Sequence, residues 1–294
     1  MMIDHQIGFS RRFLLGAGGA ALLAGCAPAG GARTASGSAA SPAAGSAASP
    51  AAGSAAPVSA SAAAVSASPA AEAPPAPVDR PEGAPDVPEY RLHAGPMTLA
   101  LTFDDGPAPA STAQILATLR RYGVTATFFM IGANVAKYPD VVRQVADEGH
   151  RLGNHTWSHP DLGTLSAARI REELERTGEA VARAGRTDPP KLFRAPYGNF
   201  STASLAVAAE LGLRPISWSV DPEDWSRPGT DAIVERVMTG ARTGSIVLEH
   251  DGCLIDEAVP TPGGPADRTQ TVDALARYLP QLVDAGYRFA AVGP

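Results

Sequence analysis

The sequence predicts a parallel α/β fold of about seven strands, preceded by a long stretch that builds no core. Three observations predict it. From Met97 onward, short apolar runs alternate about seven times with amphipathic patterns, the mark of strand and helix units laid side by side. Polar residues with chemical potential gather at the carboxyl ends of those apolar runs. Upstream, residues 27–88 are almost wholly Ala, Ser, Pro and Gly, and the octad SPAAGSAA is written twice in succession at 41–56. Such residues offer too little apolar area to offset the entropy of ordering, so that stretch reads as linker.

The elements follow in order. MTLALTF at Met97–Phe103 reads as the first strand, and STAQILATLRRYG at Ser111–Gly123 as the first helix, with Ser111 as N-cap and Gly123 as stop. Further strands are read at Thr125–Ile131, His150–Asn154, Leu192–Arg194, Pro215–Val220, Ser245–Glu249 and Tyr287–Val292. Between them the pattern predicts helices at Val135–Glu148, Ser166–Ala184, Thr202–Leu211, Thr230–Thr239 and Thr269–Ala285. Periodicity alone leaves an open sheet and a closed barrel equally open.

The amino terminus reads as an export signal. SRRFLLGAGGAALLAGC carries the pair Arg11 and Arg12, then an apolar stretch from Phe13 to Leu23 that is too short to span a bilayer as a mature helix. The arginine pair resembles a twin-arginine signal, and LAGC resembles the lipobox of bacterial lipoproteins, with Cys26 as the lipidated residue. The chain then divides into a signal peptide at 1–25, a disordered linker at 26–92 and a folded domain at 93–294. This predicts an exported protein of the cell envelope, held to the membrane by an N-terminal lipid. With Cys26 so used, the folded part is expected to hold no internal disulfide, since the chain has only two cysteines. The net charge of −6 provides no basic stripe, which excludes nucleic acid as a partner, and the chain is expected to be a monomer.

Asp104 and Asp105 follow the first strand, His155 the third, and Arg194 ends the fourth. Asp221 and Asp224 follow the fifth, and His250 ends the sixth. In a parallel α/β fold these positions converge on one face. NHTWSH sets His155 and His159 four apart, which on one helical turn places two imidazoles side by side for a divalent metal. Position 156 is Thr, so this segment brings no general base of its own, and the acidic doublet can supply both a third ligand and a base. Two histidines and an aspartate leave an open position for water, the arrangement of a catalytic metal site. Gly106 and Pro107 are expected to turn the chain away and leave room for substrate.

Five stretches in order resemble the motifs of the polysaccharide deacetylase family, the NodB homology domain of carbohydrate esterase family four: TFDDGP at Thr102, HTWSH at His155, RAPYG at Arg194, DPEDW at Asp221 and LEH at Leu248. The resemblance spans about Met97 to Val292 and implies a distorted (β/α) barrel. It implies that Asp105, His155 and His159 bind the metal, most often zinc with cobalt as an alternative, and that Asp104 is the general base. Arg194 would hold Asp104 ionised, and the Tyr197 N–H would stabilise the oxyanion. His250 would be the acid, raised in pKa by Asp224. Trp225, Leu248 and Pro196 would form apolar walls for the acetyl group. The implied reaction is N-deacetylation of an acetylated polysaccharide, a peptidoglycan or chitin-type polymer of N-acetylhexosamine. An O-acetyl esterase such as one acting on acetylxylan is the alternative enzyme, and an inactive carbohydrate-binding lipoprotein the alternative of another class. Residues 253–266, before DRTQT, read as a loop insertion beside the site. His93, His150, Asp221 and Trp157 are assigned structural or solvated roles.

Overall fold

The computed structural model describes residues 87–254 and 260–293. The signal peptide, the arginine pair, Cys26, most of the linker and the middle of the inserted loop lie outside the described residues.

Among the described residues, seven parallel strands are joined by seven α-helices. The strands are β1 (Thr98–Asp104), β2 (Thr127–Met130), β3 (Arg151–Asn154), β4 (Leu192–Phe193), β5 (Arg214–Pro215), β6 (Ile246–His250) and β7 (Arg288–Phe289). The helices are α1 (Pro109–Arg121), α2 (Gly132–Lys137), α3 (Pro139–Asp147), α4 (Ala167–Gly185), α5 (Thr202–Glu210), α6 (Thr230–Gly240) and α7 (Thr269–Asp284). The sheet runs β5-β4-β3-β2-β1-β6, and β7 pairs with the start of β1. Beyond β5 the chain swings round to β6: the Ser219 and Val220 N–H groups donate to the Ile246 carbonyl at 3.0 and 3.1 Å, and Leu248 N–H donates to Val220 O at 2.9 Å. These bonds curl the sheet into the distorted barrel that the sequence implies, with short strands on the β4–β5 side.

β1 is buried along its whole length because it packs on both faces. Leu99, Leu101 and Phe103 point outward into the main apolar layer under the helices, with Ile115, Leu119, Phe128 and Leu275. Ala100 points the other way, into a smaller cluster with Phe129, Leu192, Ile216, Ile246 and Val292. The two-residue strand period therefore sends Thr102 and Asp104 toward the barrel interior, on the side of Ala100. Register then aligns the strand ends. Asp104 is paired with both Phe129 and His250, Met130 with Asn154, and Asn154 with Phe193. Asp104, His155, Arg194 and His250 thereby meet at one rim.

Several local expectations change. The helix expected over Val135–Glu148 is two helices, α2 and α3, because Pro139 cannot continue α2 and instead opens α3. Ser111 does not cap α1, which starts at Pro109, and its hydroxyl donates to Asp251 O at 2.5 Å instead. Ser166 does cap α4, accepting from Arg169 N–H, and Gly123 ends α1 with a φ of +63°. Upstream of the expected domain start, Glu89 N–H donates to Pro215 O, and Arg214 forks onto the Glu89 carboxylate at 2.7 and 2.8 Å.

Candidate active site

β1 ends at Asp104, and Asp105 enters the left-handed region with a φ of +69°, so adjacent carboxylates leave the strand in different directions. Asp104 is 3 % exposed. One of its oxygens, Oδ1, accepts from Arg194 Nη1 at 2.7 Å. Arg194 is wholly buried, yet every part of its fork is used: Nη1 also donates to Thr102 Oγ1, Nη2 to Ser217 O and Nε to Ile216 O, while the guanidinium lies 4.2 Å over the Phe129 ring. Burial pulls this arginine below its ordinary pKa, and Asp104 pulls it back up. A buried ion pair of this kind persists when the other donors find partners, and here each of the three guanidinium nitrogens has at least one.

His155 and His159 do not share a helical turn, contrary to the expectation. The segment after β3 is a loop in which Thr156 and His159 take left-handed conformations, with φ of +66° and +54°. Glu173 of α4 holds that loop, accepting from Trp157 N–H, Ser158 N–H and Ser158 Oγ at 2.7 to 2.8 Å. The loop still brings both imidazoles onto Asp105: its Oδ1 is 3.4 Å from His155 Nε2 and 3.2 Å from His159 Nε2.

These three side chains fit a divalent cation. Asp105 Oδ1 is buried without a hydrogen-bond partner, and the three donor atoms lie within 4.8 Å of one another. Ligands about 2.0–2.1 Å from a tetrahedral ion stand about 3.3 Å apart, which matches the Asp105 separations. His155 Nδ1 lies 2.8 Å from Arg194 O, which places the proton on Nδ1 and frees the Nε2 lone pair. Burial raises the Asp105 pKa, but contacts with His155 and His159 outweigh it and hold the carboxyl well below its usual range.

Across the rim, a short 3-10 turn at Asp224–Ser226 delivers Asp224 into full burial. Its Oδ1 faces His250 Nδ1 at 2.7 Å, and its Oδ2 accepts from His250 N–H and Thr271 Oγ1, both at 2.8 Å. Burial disfavours the imidazolium, yet Asp224, with Asp105 and Asp104 behind it, lifts His250 to about 9. The same partnership holds Asp224 below its ordinary value although burial pushes it up.

The cleft between these groups has a volume of about 390 Å³ and is lined by Asp104, Asp105, His155, His159, Tyr197, Leu248 and His250, with Trp225 exposed at its edge. Tyr197 sits in a left-handed turn with a φ of +60°, its ring packed edge-on against His159 at 4.7 Å. Arg194 and Asp224 support the cleft from behind. Pro196 is buried and does not line it; its neighbours Ala195, Tyr197 and Gly198 do. Sequence reading passed over Trp218, whose Cη2 lies 2.7 Å from where a Cβ on Gly198 would stand, so only glycine fits there. Asp221 accepts from Glu223 N–H at 2.8 Å, shaping its loop as expected, and also lines the cleft.

Asp251 was also passed over. Its Oδ2 accepts from Thr112 Oγ1 at 2.5 Å and its Oδ1 has no partner. Burial chiefly, with Asp105 and Asp104 adding, raises it to about 7. It packs so closely on Gly106 that a Cβ there would lie 2.3 Å from Oδ2. Gly106 is thus required by Asp251.

The profile of the family described as polysaccharide deacetylase matches residues 93–216. A chitooligosaccharide deacetylase of Sinorhizobium fredii is 42 % identical over 197 residues, covering 67 % of this chain and 91 % of that protein. A peptidoglycan-N-acetylglucosamine deacetylase of Bacillus cereus is 41 % identical over 196 residues, covering 66 % and 85 %. Among solved structures, a peptidoglycan N-acetylglucosamine deacetylase superposes with a TM-score of 0.62 at 36 % identity, covering 69 % of this chain and 89 % of that one. With nearly the full length of these relatives matched, and the Asp105, His155 and His159 cluster formed at the strand ends, the chain belongs to the polysaccharide deacetylase family.

Proposed function

We propose that this protein is a metal-dependent hydrolase that removes N-acetyl groups from polymers or oligomers of N-acetylhexosamine. The observation that carries the reading is one cleft holding a three-residue cation site, an arginine-paired carboxylate and an aspartate-paired imidazole. Asp105, His155 and His159 would hold a divalent cation, zinc or cobalt, which when bound would lower the pKa of water and polarise a carbonyl.

The chain's own groups divide the remaining work. Asp104, its Oδ1 held by Arg194, takes the proton of the attacking water through Oδ2 as the new C–O bond forms. The Tyr197 backbone N–H stabilises negative charge on the former carbonyl oxygen. His250, protonated because Asp224 faces its Nδ1, gives the Nε2 proton to the departing nitrogen as the C–N bond breaks. The products are acetate and a free amine. Leu248 and Trp225 flank the acetyl methyl.

Acetate release by the full chain, measured before and after dialysis against a chelator and again after adding Zn²⁺ or Co²⁺, tests this reading. Activity is expected to vanish and return. Activity that ignores the chelator, or none on any acetylated glycan, overturns it. The exported, lipid-anchored state rests on SRRFLL and LAGC. Labelled palmitate is expected to enter the wild type and not Cys26→Ser; equal labelling of both defeats the assignment.

A further inference from the structure

A second groove, of about 550 Å³, lies outside the catalytic cleft between α2, α3, α4 and the loop that carries the two histidines. Its floor is apolar, formed by the buried Val135 and Ala184 with Ala180 and the Trp157 ring, while Ala136 and Pro139 stand exposed at its rim. Three arginines, Arg143, Arg176 and Arg183, line it with a single acid, Glu179. Elsewhere on α4 the arginines are matched: Arg169 pairs with Glu172, and Arg171 with Glu175 and Glu210. None of the three groove arginines forms an ion pair among the described residues. Arg176 stacks 3.5 Å over the Trp157 ring, and Arg143 Nη2 donates to Ala184 O at 2.8 Å.

Trp157 joins this groove to the catalytic cleft. It stands between His155 and His159, whose side chains line the cleft, while its own ring turns outward into the groove. Gly132 lies beneath that ring, where a Cβ would come within 2.5 Å of Cε3. On a chain of net charge −6, an unmatched positive groove beside the site points to an acidic ligand.

We propose that this groove binds an acidic peptide attached to the polymer substrate, its carboxylates on the arginines and its small apolar side chains on the floor. The proposal rests on the deacetylase reading above and narrows its substrate to a peptide-bearing glycan. The dimensions agree. Arg176 and Arg183 are seven residues apart on α4, about 10 Å along the axis. An extended peptide covers that span in about three residues. Concavity favours a peptide over a membrane, because a flat headgroup surface cannot reach a recessed floor. Arginine is suited to planar carboxylates, which it can grip with two parallel donors.

The test compares soluble acetylated glycan fragments that retain their stem peptides with the same fragments after amidase removal of the peptides. The double variant Arg143→Gln/Arg183→Gln is expected to raise KM about tenfold on the peptide-bearing fragments, at about three- to fivefold per exposed arginine–carboxylate pair. KM on the stripped fragments and kcat on both should not change, and added salt should erode the wild-type preference. In parallel, a synthetic acidic stem peptide titrated into the full chain is expected to shift the Trp157 indole N–H resonance in the wild type and not in the variant. Equal KM changes on both substrates, no change on either, or loss of binding to anionic phospholipid vesicles in place of the peptide effect would each overturn the proposal. If neither substrate is deacetylated by the wild type, the catalytic reading has failed, and the peptide titration still decides the groove: a shift lost in the variant supports it, and no shift in the wild type defeats it.

Discussion

Replacing Asp224 by Asn removes the charge behind His250 while keeping a side chain of the same shape. Burial on its own drives an imidazole toward the neutral form, yet His250 stands at about 9 against an ordinary 6.5, with Asp224 as the largest opposing influence. At about 1.36 kcal/mol per pKa unit, that difference is roughly 3 kcal/mol in favour of the imidazolium. The sign follows from the role. A general acid works in its protonated form, so activity is present below the His250 pKa and lost as pH rises through it. In the wild type the alkaline limb of kcat is expected near pH 9. In Asp224→Asn it should move toward 6.5, which at pH 8 cuts the protonated fraction about thirtyfold while leaving about three-quarters of it at pH 6. Initial rates of acetate release from pH 5.5 to 10, with metal held saturating, measure this. A limb that stays near 9, or a loss of the same size at every pH, would refute the assignment of Asp224 as the residue that keeps His250 charged.

Other perturbations separate roles within the doublet and its surroundings. Asp104→Asn should retain the metal by elemental analysis while losing about 10²–10⁴ in kcat, whereas Asp105→Ala should lose the metal itself; equal metal content with equal activity in both would show the division to be wrong. Gly106→Ala should destabilise the fold by about 1–3 kcal/mol, because its Cβ meets the Asp251 carboxylate at 2.3 Å. Thermal unfolding should then fall by about 2–4 °C for each kcal/mol, and an unchanged midpoint would mean that Asp251 moves aside freely.

The alternation of apolar runs was enough to read seven strands in order, most plainly at β1, β2 and β6, where the apolar segment is longest. Asp104, His155, Arg194 and His250 were legible for the same reason: a parallel sheet must bring strand ends to one rim. What the pattern could not contain was conformation set by tertiary contacts. The histidine pair reads as helical by spacing, but Glu173, fourteen residues beyond His159, ties the segment into a loop with two left-handed residues. Ser111 has the chemistry of a cap and is claimed instead by Asp251 O, 140 residues away. Strands β4 and β5 are short because side chain and backbone bonds from Arg194 and Glu89 replace part of the ladder there, and no periodicity announces such a substitution. Pro139 was visible as a break in the helical pattern, and here the general rule against interior proline simply prevailed over the longer amphipathic run.

Arg194 carries a consequence beyond the reaction. One guanidinium reaches from the end of β1 to the Ile216 and Ser217 carbonyls at the far edge of the sheet. The curvature of the sheet and the position of its acidic doublet are therefore tied to the same few atoms. Substituting Arg194 would therefore disturb the sheet edge and the acidic doublet together.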